Sequence, residues 1–239
     1  MNYLKDYREG EKFVGTYLCK QKQILKTKAG KTYYSLTLQD KTGTADGKIW
    51  ELNNGIANFE PMDYIHCEGM VTSFQGNLQM NISRVRISDE GEYDPTDYVP
   101  CTNKDVGEMF SRILKYVASV QNKYLRKILE MYFVENKEFV DAFKKHSAAK
   151  SVHHGFMGGL LEHTLSVTDM CQYFAEHYPM IHRDLLITAA LFHDMGKIQE
   201  ISDFPMNDYT DDGQLLGHIY IGARCMETVS YTHLRAHET

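Results

Sequence analysis

The chain has no long apolar run, no apolar N-terminal segment and no closely spaced cysteines. Without roughly 18 consecutive apolar residues, it is not expected to cross a membrane as a helix. Its first residues, MNYLKDYREGEKF, lack the apolar core of a secretory signal. The five cysteines are odd in number and never form C-x-x-C, which argues against a disulfide framework or a cysteine-built zinc site. A reducing cytoplasm is therefore the expected location.

A strong excess of positive charge is absent as well, since the formal net charge is −6. This average argues against a chain coated in nucleic acid, but it conceals a local excess. Seven lysines and only two acidic residues lie between Lys20 and Lys48. These lysines could follow a nucleic-acid strand or simply keep a loop solvated.

Residues 1–92 predict a small β module. The segment TYYSLTLQD alternates strictly, with Leu36 and Leu38 on one face and Tyr33 on the other. Five short segments, separated by turns rich in glycine and aspartate, predict a closed barrel. An OB-fold is the leading interpretation, and a generic five-stranded barrel or sandwich is the alternative.

One outer face of this barrel carries candidate nucleic-acid contacts. Tyr33 lies opposite the core-facing leucines, and Lys48 and Trp50 share a face opposite Ile49. An exposed indole beside a lysine suits a base stacked above a phosphate contact. The alternative is that Trp50 closes the barrel core. Phe74, next to the break at Gln75, completes the predicted nucleic-acid-binding set of Tyr33, Lys48, Trp50 and Phe74.

A linker containing Pro95 and Pro100 covers residues 93–104, and beyond it the apolar residues follow a helical period. Residues 105–228 therefore predict an all-α module, with helices that include 159–177, 184–195 and 215–226. The predicted fold class is α+β multidomain, an N-terminal OB-fold barrel followed by an all-α domain.

Histidines and one aspartate carry the chemistry of the α module: His153, His154 and His163 in SVHHGFMGGLLEHTLSV, His193 and Asp194 in ITAALFHDMGK, and His218 in GQLLGHIYIG. A carboxylate buried beside an imidazole needs compensation, which a divalent cation provides. Imidazole and carboxylate together suit Mn²⁺, Fe²⁺, Zn²⁺ or Mg²⁺. Adjacent helical residues point about 100° apart, so His193 and Asp194 can share a cluster if Asp194 bridges two ions.

Each of these residues also has a plainer interpretation. A single histidine on a helix face is more often a hydrogen-bonded core residue than a ligand. Gly196 is a natural C′ residue, directly after the cap, to stop the preceding helix, and Lys197 could simply cap its carbonyl groups.

The ordered set H…HD with HDMGK is similar to the signature of the HD phosphohydrolase superfamily, all-α metal enzymes that cleave phosphate esters. With HHGFMGGLLEHTLSV, ITAALFHDMGK and the lysine-rich OB-like module in front, residues 1–228 resemble the YhaM-type 3′–5′ exoribonucleases. The resemblance implies a cytoplasmic enzyme that hydrolyses single-stranded RNA by a two-metal mechanism, with Mn²⁺ the favoured ion. Single-stranded DNA is a further candidate substrate, and the oligomeric state is left open.

Carried over residue by residue, the resemblance implies the metal ligands His163, His193, Asp194 and His218. It also implies three catalytic residues: Asp194; Lys197, which would reach the phosphate; and His154 or its neighbour His153, as an outer ligand, phosphate contact or proton donor. The family's final aspartate has no good match, because Asp203, Asp208, Asp211 and Asp212 lie too early, in a loop-like stretch.

The last residues, VSYTHLRAHET (229–239), resemble a translated sequencing adapter. They are expected to be non-native, with an incomplete HD domain at 105–228 whose activity is in question. Two other functions stay open on the sequence: an HD phosphohydrolase of small nucleotides, and a non-catalytic module that binds single strands.

Overall fold

The computed structural model describes residues 3–53, 55–151 and 154–229. The chain divides into two compact units, Met1–Val99 and Pro100–Thr239, with the boundary inside the predicted linker. The first unit is a β-barrel and the second is helical, which confirms the predicted fold class. Among the helices of the described residues, none has the length and apolarity to cross a membrane.

The barrel consists of five strands: β1 (Lys12–Lys26), β2 (Thr32–Asp40), β3 (Gly43–Ile49), β4 (Tyr64–Phe74) and β5 (Asn77–Ile87). They close in the order β1-β2-β3-β5-β4, with β3 parallel to β5 and the other pairs antiparallel. This small closed Greek-key barrel is the predicted OB-fold, and its closure removes the unpaired strand edges of an open sheet.

Alternation along the strands explains the barrel core. Leu36, Leu38 and Ile49 are fully buried, as the alternating pattern predicts. The pairing of β4 with β5 shifts at Gly69, where a Cβ atom would lie 2.0 Å from the carbonyl oxygen of Asn81. Glycine is therefore required at this irregularity, which bends β4 as barrel closure demands.

The helical unit contains α1 (Val106–Ser119), α2 (Lys123–Glu130), α3 (Lys137–Lys145), α4 (Gly159–His177), α5 (Arg183–Phe192), the single turn α6 (Lys197–Glu200) and α7 (Asp211–Val229). A π-helical turn, Met131–Glu135, continues α2. Asp105, Asn122 and Asn136 cap the first three helices by accepting hydrogen bonds from backbone amides. The apolar faces of α1 to α5 meet in one core around Ile113, Leu191 and their neighbours.

Two loops of this unit are tied together near the functional residues. His146, which is 4% exposed, places Nδ1 2.9 Å from the carbonyl oxygen of Ser147 and Nε2 3.0 Å from that of Ile201. The Ser147 hydroxyl donates to the side-chain oxygen of Asn207. These contacts join the loop that follows α3 to the loop that follows α6, so each loop holds the other in place where it leaves its helix.

Candidate metal centre and nucleic-acid interface

The end of α5 places His193 and Asp194 side by side. The helix buries Ile187, Leu191 and Phe192, and His193 follows as its C-terminal cap residue. The Nδ1 atom of His193 lies 2.7 Å from the carbonyl oxygen of Ala190, to which an Nδ1–H would donate. In the neutral imidazole this leaves Nε2 without a proton, which is the form that ligates metals.

His163, on α4, meets this pair. Its Nε2 atom lies 3.3 Å from Asp194 Oδ2 and 3.2 Å from His193 Nε2, while His193 Nε2 lies 3.4 Å from Asp194 Oδ2. The three ligand atoms lie within 4.8 Å of one another. Two imidazole nitrogens and a carboxylate oxygen that converge in this way fit a divalent transition metal.

His218, on α7, approaches the same carboxylate from its other oxygen. Its Nε2 atom lies 3.4 Å from Asp194 Oδ1, whereas His163 and His193 face Oδ2. Asp194 thus has one oxygen directed to each side, the arrangement that a bridging ligand requires. The structure brings together all four residues for which a metal-binding role was predicted.

The electrostatics of the cluster stabilise a buried negative charge. Burial alone would raise the pKa of Asp194, but hydrogen bonds with His163 and His193 hold it well below its ordinary value. Burial lowers the pKa of His193, but the bonds to Asp194 and to the Ala190 carbonyl outweigh this and raise it. Asp194 is 7% exposed and ionised, so the site attracts cations.

Gly196 has a different role from the predicted one. The prediction that Gly196 directly follows the end of the helix was wrong, because α5 ends at Phe192 with His193 as its cap, and Gly196 lies three residues further on with φ −67° and ψ −14°. A Cβ atom here would lie 2.0 Å from the carbonyl oxygen of His218 and 2.7 Å from the amide of Gly222. Glycine is needed because α7 packs directly against this backbone, and that close approach carries His218 to the site.

Lys197 lies one turn beyond the His–Asp pair, with its Nζ atom 3.4 Å from Glu200 Oε2. Its side chain is 15% exposed, so its charge is held beside the cluster. It is also among the charges that lower the pKa of Asp194.

Glu200 is the site residue that the sequence reasoning missed. It is 7% exposed, and its Oε1 atom accepts from the His218 backbone amide at 3.0 Å and contacts His218 Nδ1 at 2.9 Å. Burial would raise the pKa of Glu200, but these two bonds and Lys197 lower it. The sequence does contain one indirect signal. Gly217, directly before His218, indicates a break in the helix, and a break leaves a backbone amide that needs an acceptor such as Glu200.

His154 lies at the edge of the cluster. The centroid of its ring is 5.3 Å from that of His163, and its Nε2 atom is 4.0 Å from Glu162 Oε1. Glu162 also contacts Lys104 and Thr102. His154 is therefore an outer neighbour of the cluster, and His153 lies outside the described residues.

The four downstream aspartates stay away from the cluster within the described residues. The side chain of Asp203 is 91% exposed, and Asp208 pairs with Lys150 at 2.5 Å. Asp211 and Asp212 open α7, seven and six residues before His218. None of the four is in the described group of potential metal ligands.

A mostly apolar cavity of about 620 Å³ adjoins the cluster. Its wall combines His193, Asp194 and His218 with apolar side chains of α2, α5 and α7, including Phe192 and Ala223. The cavity therefore provides space beside the metal-binding atoms, with few groups that could read a base by hydrogen bonding.

On the barrel, Tyr33 and Trp50 form a stacked pair with centroids 4.6 Å apart and planes at 26°. Trp50 is 39% exposed, so it does not close the core, and its Nε1–H donates to Asn81 Oδ1 at 3.0 Å. Leu25 pairs with Tyr33 across the strands and is also exposed. An aromatic platform stands on the outer face, at the end of the β1–β2 hairpin.

Lys48 lies beside that platform, opposite Ser35 on β2, whereas Phe74 lies away from it. Lys48 Nζ is 2.5 Å from Asp46 Oδ1 and 2.7 Å from the Ser35 hydroxyl, so its charge is already paired. Phe74, 61% exposed, lies at the far end of β4 and lines a separate cavity of about 610 Å³ with Leu78. The structure thus joins Tyr33 and Trp50 in one platform, places Lys48 beside it, and separates Phe74 from the other three.

Comparison with known proteins identifies the family. The family model for the HD domain matches residues 160–234. A 3′–5′ exoribonuclease YhaM from Listeria innocua is 31% identical over 227 residues, which cover 91% of this chain and 69% of the relative. The chain belongs to the YhaM 3′–5′ exoribonuclease family. YhaM proteins of Geobacillus and Bacillus subtilis are 31% and 29% identical over 80% of this chain, and the matches cover 59% and 61% of those relatives.

The chain thus spans about six to seven tenths of the length of these YhaM relatives. Solved structures resemble the barrel only distantly. The second OB-fold domain of replication protein A from Methanococcus maripaludis is 20% identical, with a TM-score of 0.31, over 38% of this chain and 98% of that domain. At this level, the likeness has no bearing on function.

Proposed function

We propose that this YhaM-family protein is a metal-dependent 3′–5′ exoribonuclease that digests single-stranded RNA in the cytoplasm. The observation that carries the proposal is the carboxylate of Asp194, with His163 and His193 at one oxygen and His218 at the other. This cluster lies in a domain that matches the HD family, and the YhaM relatives are named for the activity.

The donor set supports a resident divalent ion, and we favour Mn²⁺ over Fe²⁺, Mg²⁺ and Zn²⁺. When bound, such an ion supplies Lewis-acid activation of water and neutralises charge on a phosphate. His163, His193 and Asp194 would hold one ion, and Asp194 with His218 would hold a second.

The protein's own residues have complementary roles in this proposal. Lys197 adds positive charge near the scissile phosphate, where negative charge develops in the transition state. His154, at the edge of the cluster, orients the phosphate or donates a proton to the leaving oxygen. The adjoining apolar cavity accepts the 3′-terminal nucleoside without base-specific contacts, which suits an enzyme that removes nucleotides in succession.

The barrel would retain the strand between successive cleavages. The platform of Tyr33 and Trp50 stacks bases without sequence preference, because every base has a π face. Lys26 and Lys28, in and beside the hairpin that carries Tyr33, supply the nearby positive charge, whereas Lys31 is paired with Glu51 at 3.4 Å. The same surface would accept single-stranded DNA.

The test is digestion of a 5′-labelled single-stranded oligoribonucleotide by the full chain with Mn²⁺. We expect a ladder of progressively shorter labelled products, lost on addition of EDTA, and slower digestion of the matching DNA. Release of labelled mononucleotide at once would refute the 3′–5′ direction. Hydrolysis confined to free nucleotides would replace the proposal with a small-nucleotide phosphohydrolase, and binding without cleavage under any divalent metal would replace it with a single-strand-binding module.

A further inference from the structure

One buried carboxylate of the helical unit, Glu200, lies behind the proposed metal ligands and contacts none of their ligand atoms. It ends the short helix α6 and is only 7% exposed. A buried carboxylate is costly unless it is ionised, paired and hydrogen-bonded. The groups that contact Glu200 therefore indicate its role.

Both oxygens of Glu200 have partners. Oε1 accepts from the backbone amide of His218 at 3.0 Å and contacts Nδ1 of the same residue at 2.9 Å. Oε2 lies 3.4 Å from Lys197 Nζ. A single carboxylate thus holds the backbone and the ring of His218 and also the nearest lysine of the site.

A break in the backbone of α7 places the His218 amide opposite Glu200. Gly217 interrupts the helix with φ 73° and ψ 154°, values that favour glycine. The segment that starts at His218 therefore has a new helix N-terminus, whose free amide needs an acceptor. Glu200 is that acceptor, and an acidic group is favourable at this positive end of a helix.

The contact also determines which ring nitrogen of His218 is available. An ionised carboxylate can only accept, so Nδ1 carries the proton and Nε2 presents a lone pair. That Nε2 atom is the one that lies 3.4 Å from Asp194 Oδ1. Carboxylates that orient metal-binding histidines in this way also raise the basicity of the imidazole.

We propose that Glu200 is the positioning residue that makes His218 a metal ligand, by fixing its ring orientation and its Nδ1–H tautomer. The inference rests on the proposed metal-dependent function. It adds that one half of the site, the half at Asp194 Oδ1, depends on a carboxylate that never contacts the ion.

Metal binding provides the first test, measured on the metal-stripped full chain by the free Mn²⁺ signal in electron paramagnetic resonance. We expect two classes of Mn²⁺ site in the unsubstituted protein. Glu200→Ala should weaken one class by about 10- to 100-fold, the range typical of lost carboxylate–histidine contacts. His218→Ala should weaken Mn²⁺ binding at the same class of site. The double variant should lose no more Mn²⁺ affinity there than His218→Ala alone.

Glu200→Gln keeps the shape and one acceptor, so its affinity should lie between the unsubstituted protein and Glu200→Ala. Should Glu200→Ala fail to fold, Glu200→Gln carries the test. Glu135→Gln is the matched control, because Glu135 pairs with Lys127 at 2.6 Å on the exposed surface of the same unit. It should bind both ions normally. Unchanged Mn²⁺ affinity in the Glu200 variants, or additive losses in the double variant, would overturn the inference.

A second readout separates this inference from the proposed nuclease function. Nitrogen chemical shifts of His218 in the metal-free protein report its tautomer directly. We expect the Nδ1–H form in the unsubstituted chain and a mixture in Glu200→Ala. A mixed tautomer in the unsubstituted chain refutes the role of Glu200 even if RNA is digested, whereas a fixed tautomer without RNA digestion leaves it standing and refutes the nuclease.

Discussion

The barrel and the helical unit bury ionisable groups in different ways. In the barrel, burial raises the pKa of Tyr17 and Cys67 well above their ordinary values and that of Cys19 to about 12, so these groups stay neutral. In the helical unit, Asp194 and Glu200 are also buried, yet their pKa values are lowered. Tyr17, Cys19 and Cys67 of the barrel core are therefore neutral, whereas the carboxylates of Asp194 and Glu200 keep their charge, as a cation site requires.

The two units also expose different chemistry. The barrel presents the Tyr33–Trp50 platform, which suits base stacking, while the helical unit presents imidazoles and a carboxylate, which suit metal binding. Binding of the strand and cleavage of its end are therefore expected to be separable by substitution in one unit at a time.

Asp194→Asn should produce the largest separation. The amide keeps the shape of the carboxylate but loses the charge and one acceptor oxygen, so Mn²⁺ binding and turnover should fall by at least about 100-fold, since even an indirect partner costs 10- to 100-fold. Affinity for an oligoribonucleotide, measured by fluorescence anisotropy, should be unchanged. A variant that still digests RNA at the normal rate would contradict the metal assignment.

Trp50→Ala should have the converse effect. Loss of one stacked base costs about 1–3 kcal/mol, so affinity for an oligoribonucleotide should fall about 5- to 150-fold. Hydrolysis of a small phosphodiester, which needs no strand contact, should proceed at the normal rate. Phe74→Ala is the control, because Phe74 is exposed at the other end of the barrel strands, and its effect on affinity should be smaller. Equal losses of RNA affinity in Trp50→Ala and Phe74→Ala would show that the Tyr33–Trp50 platform is not the main base-stacking site.

Much of the fold and part of the site followed from local patterns. Alternation predicted the buried Leu36 and Leu38, and the helical period predicted a helix at 159–177, which the structure has as α4. The histidines and Asp194 were found because their ligand chemistry is recognisable in a short motif. Such features depend on near neighbours in the chain, which a sequence shows directly.

Other features depend on contacts that only the folded chain makes. The role of Glu200 requires α7 to lie against the backbone of Gly196, and no local pattern around HDMGK predicts that approach. The pairing of Lys48 with Asp46 can be predicted, since residues two apart share a strand face, but the net charge of a segment does not show which of its charges pair. Gly196 is similar, because the close packing of α7 requires glycine there, and the end of α5 does not.

Acid and alkali should destabilise different units of the metal-free chain. Because Asp194 and Glu200 have lowered pKa values, their stabilising effect is present above the ordinary carboxylate range and is lost as the pH falls through it, by about 1.4 kcal/mol per pH unit and proton. Tyr17 and Cys67 have raised values, so their effect is present below their ordinary pKa values and is lost as the pH rises above them. The helical unit should therefore unfold first in acid, and the barrel first in alkali.

The chain offers a separate probe for each unit in that experiment. Its single tryptophan, Trp50, lies in the barrel, so fluorescence follows the barrel, while far-ultraviolet circular dichroism follows mainly the helices. In acid the dichroism should change at a higher pH than the fluorescence, and in alkali the fluorescence should change first. Coincident transitions at both extremes would show that the contrast between the two units does not govern their stability.

The smallest expected effect concerns the paired charge of Lys48. Asp46→Asn removes the ion pair at 2.5 Å, which frees Lys48 for a phosphate. Exposed ion pairs contribute about 0.2–1 kcal/mol, so RNA affinity should rise by no more than about fivefold. The slope of affinity against salt should also steepen, because one more phosphate is neutralised. Thr44→Asn, on the same strand but outside this ion pair, is the control and should leave both quantities unchanged. A rise without a steeper slope would mean that Asp46 repels the strand and that Lys48 does not contact it.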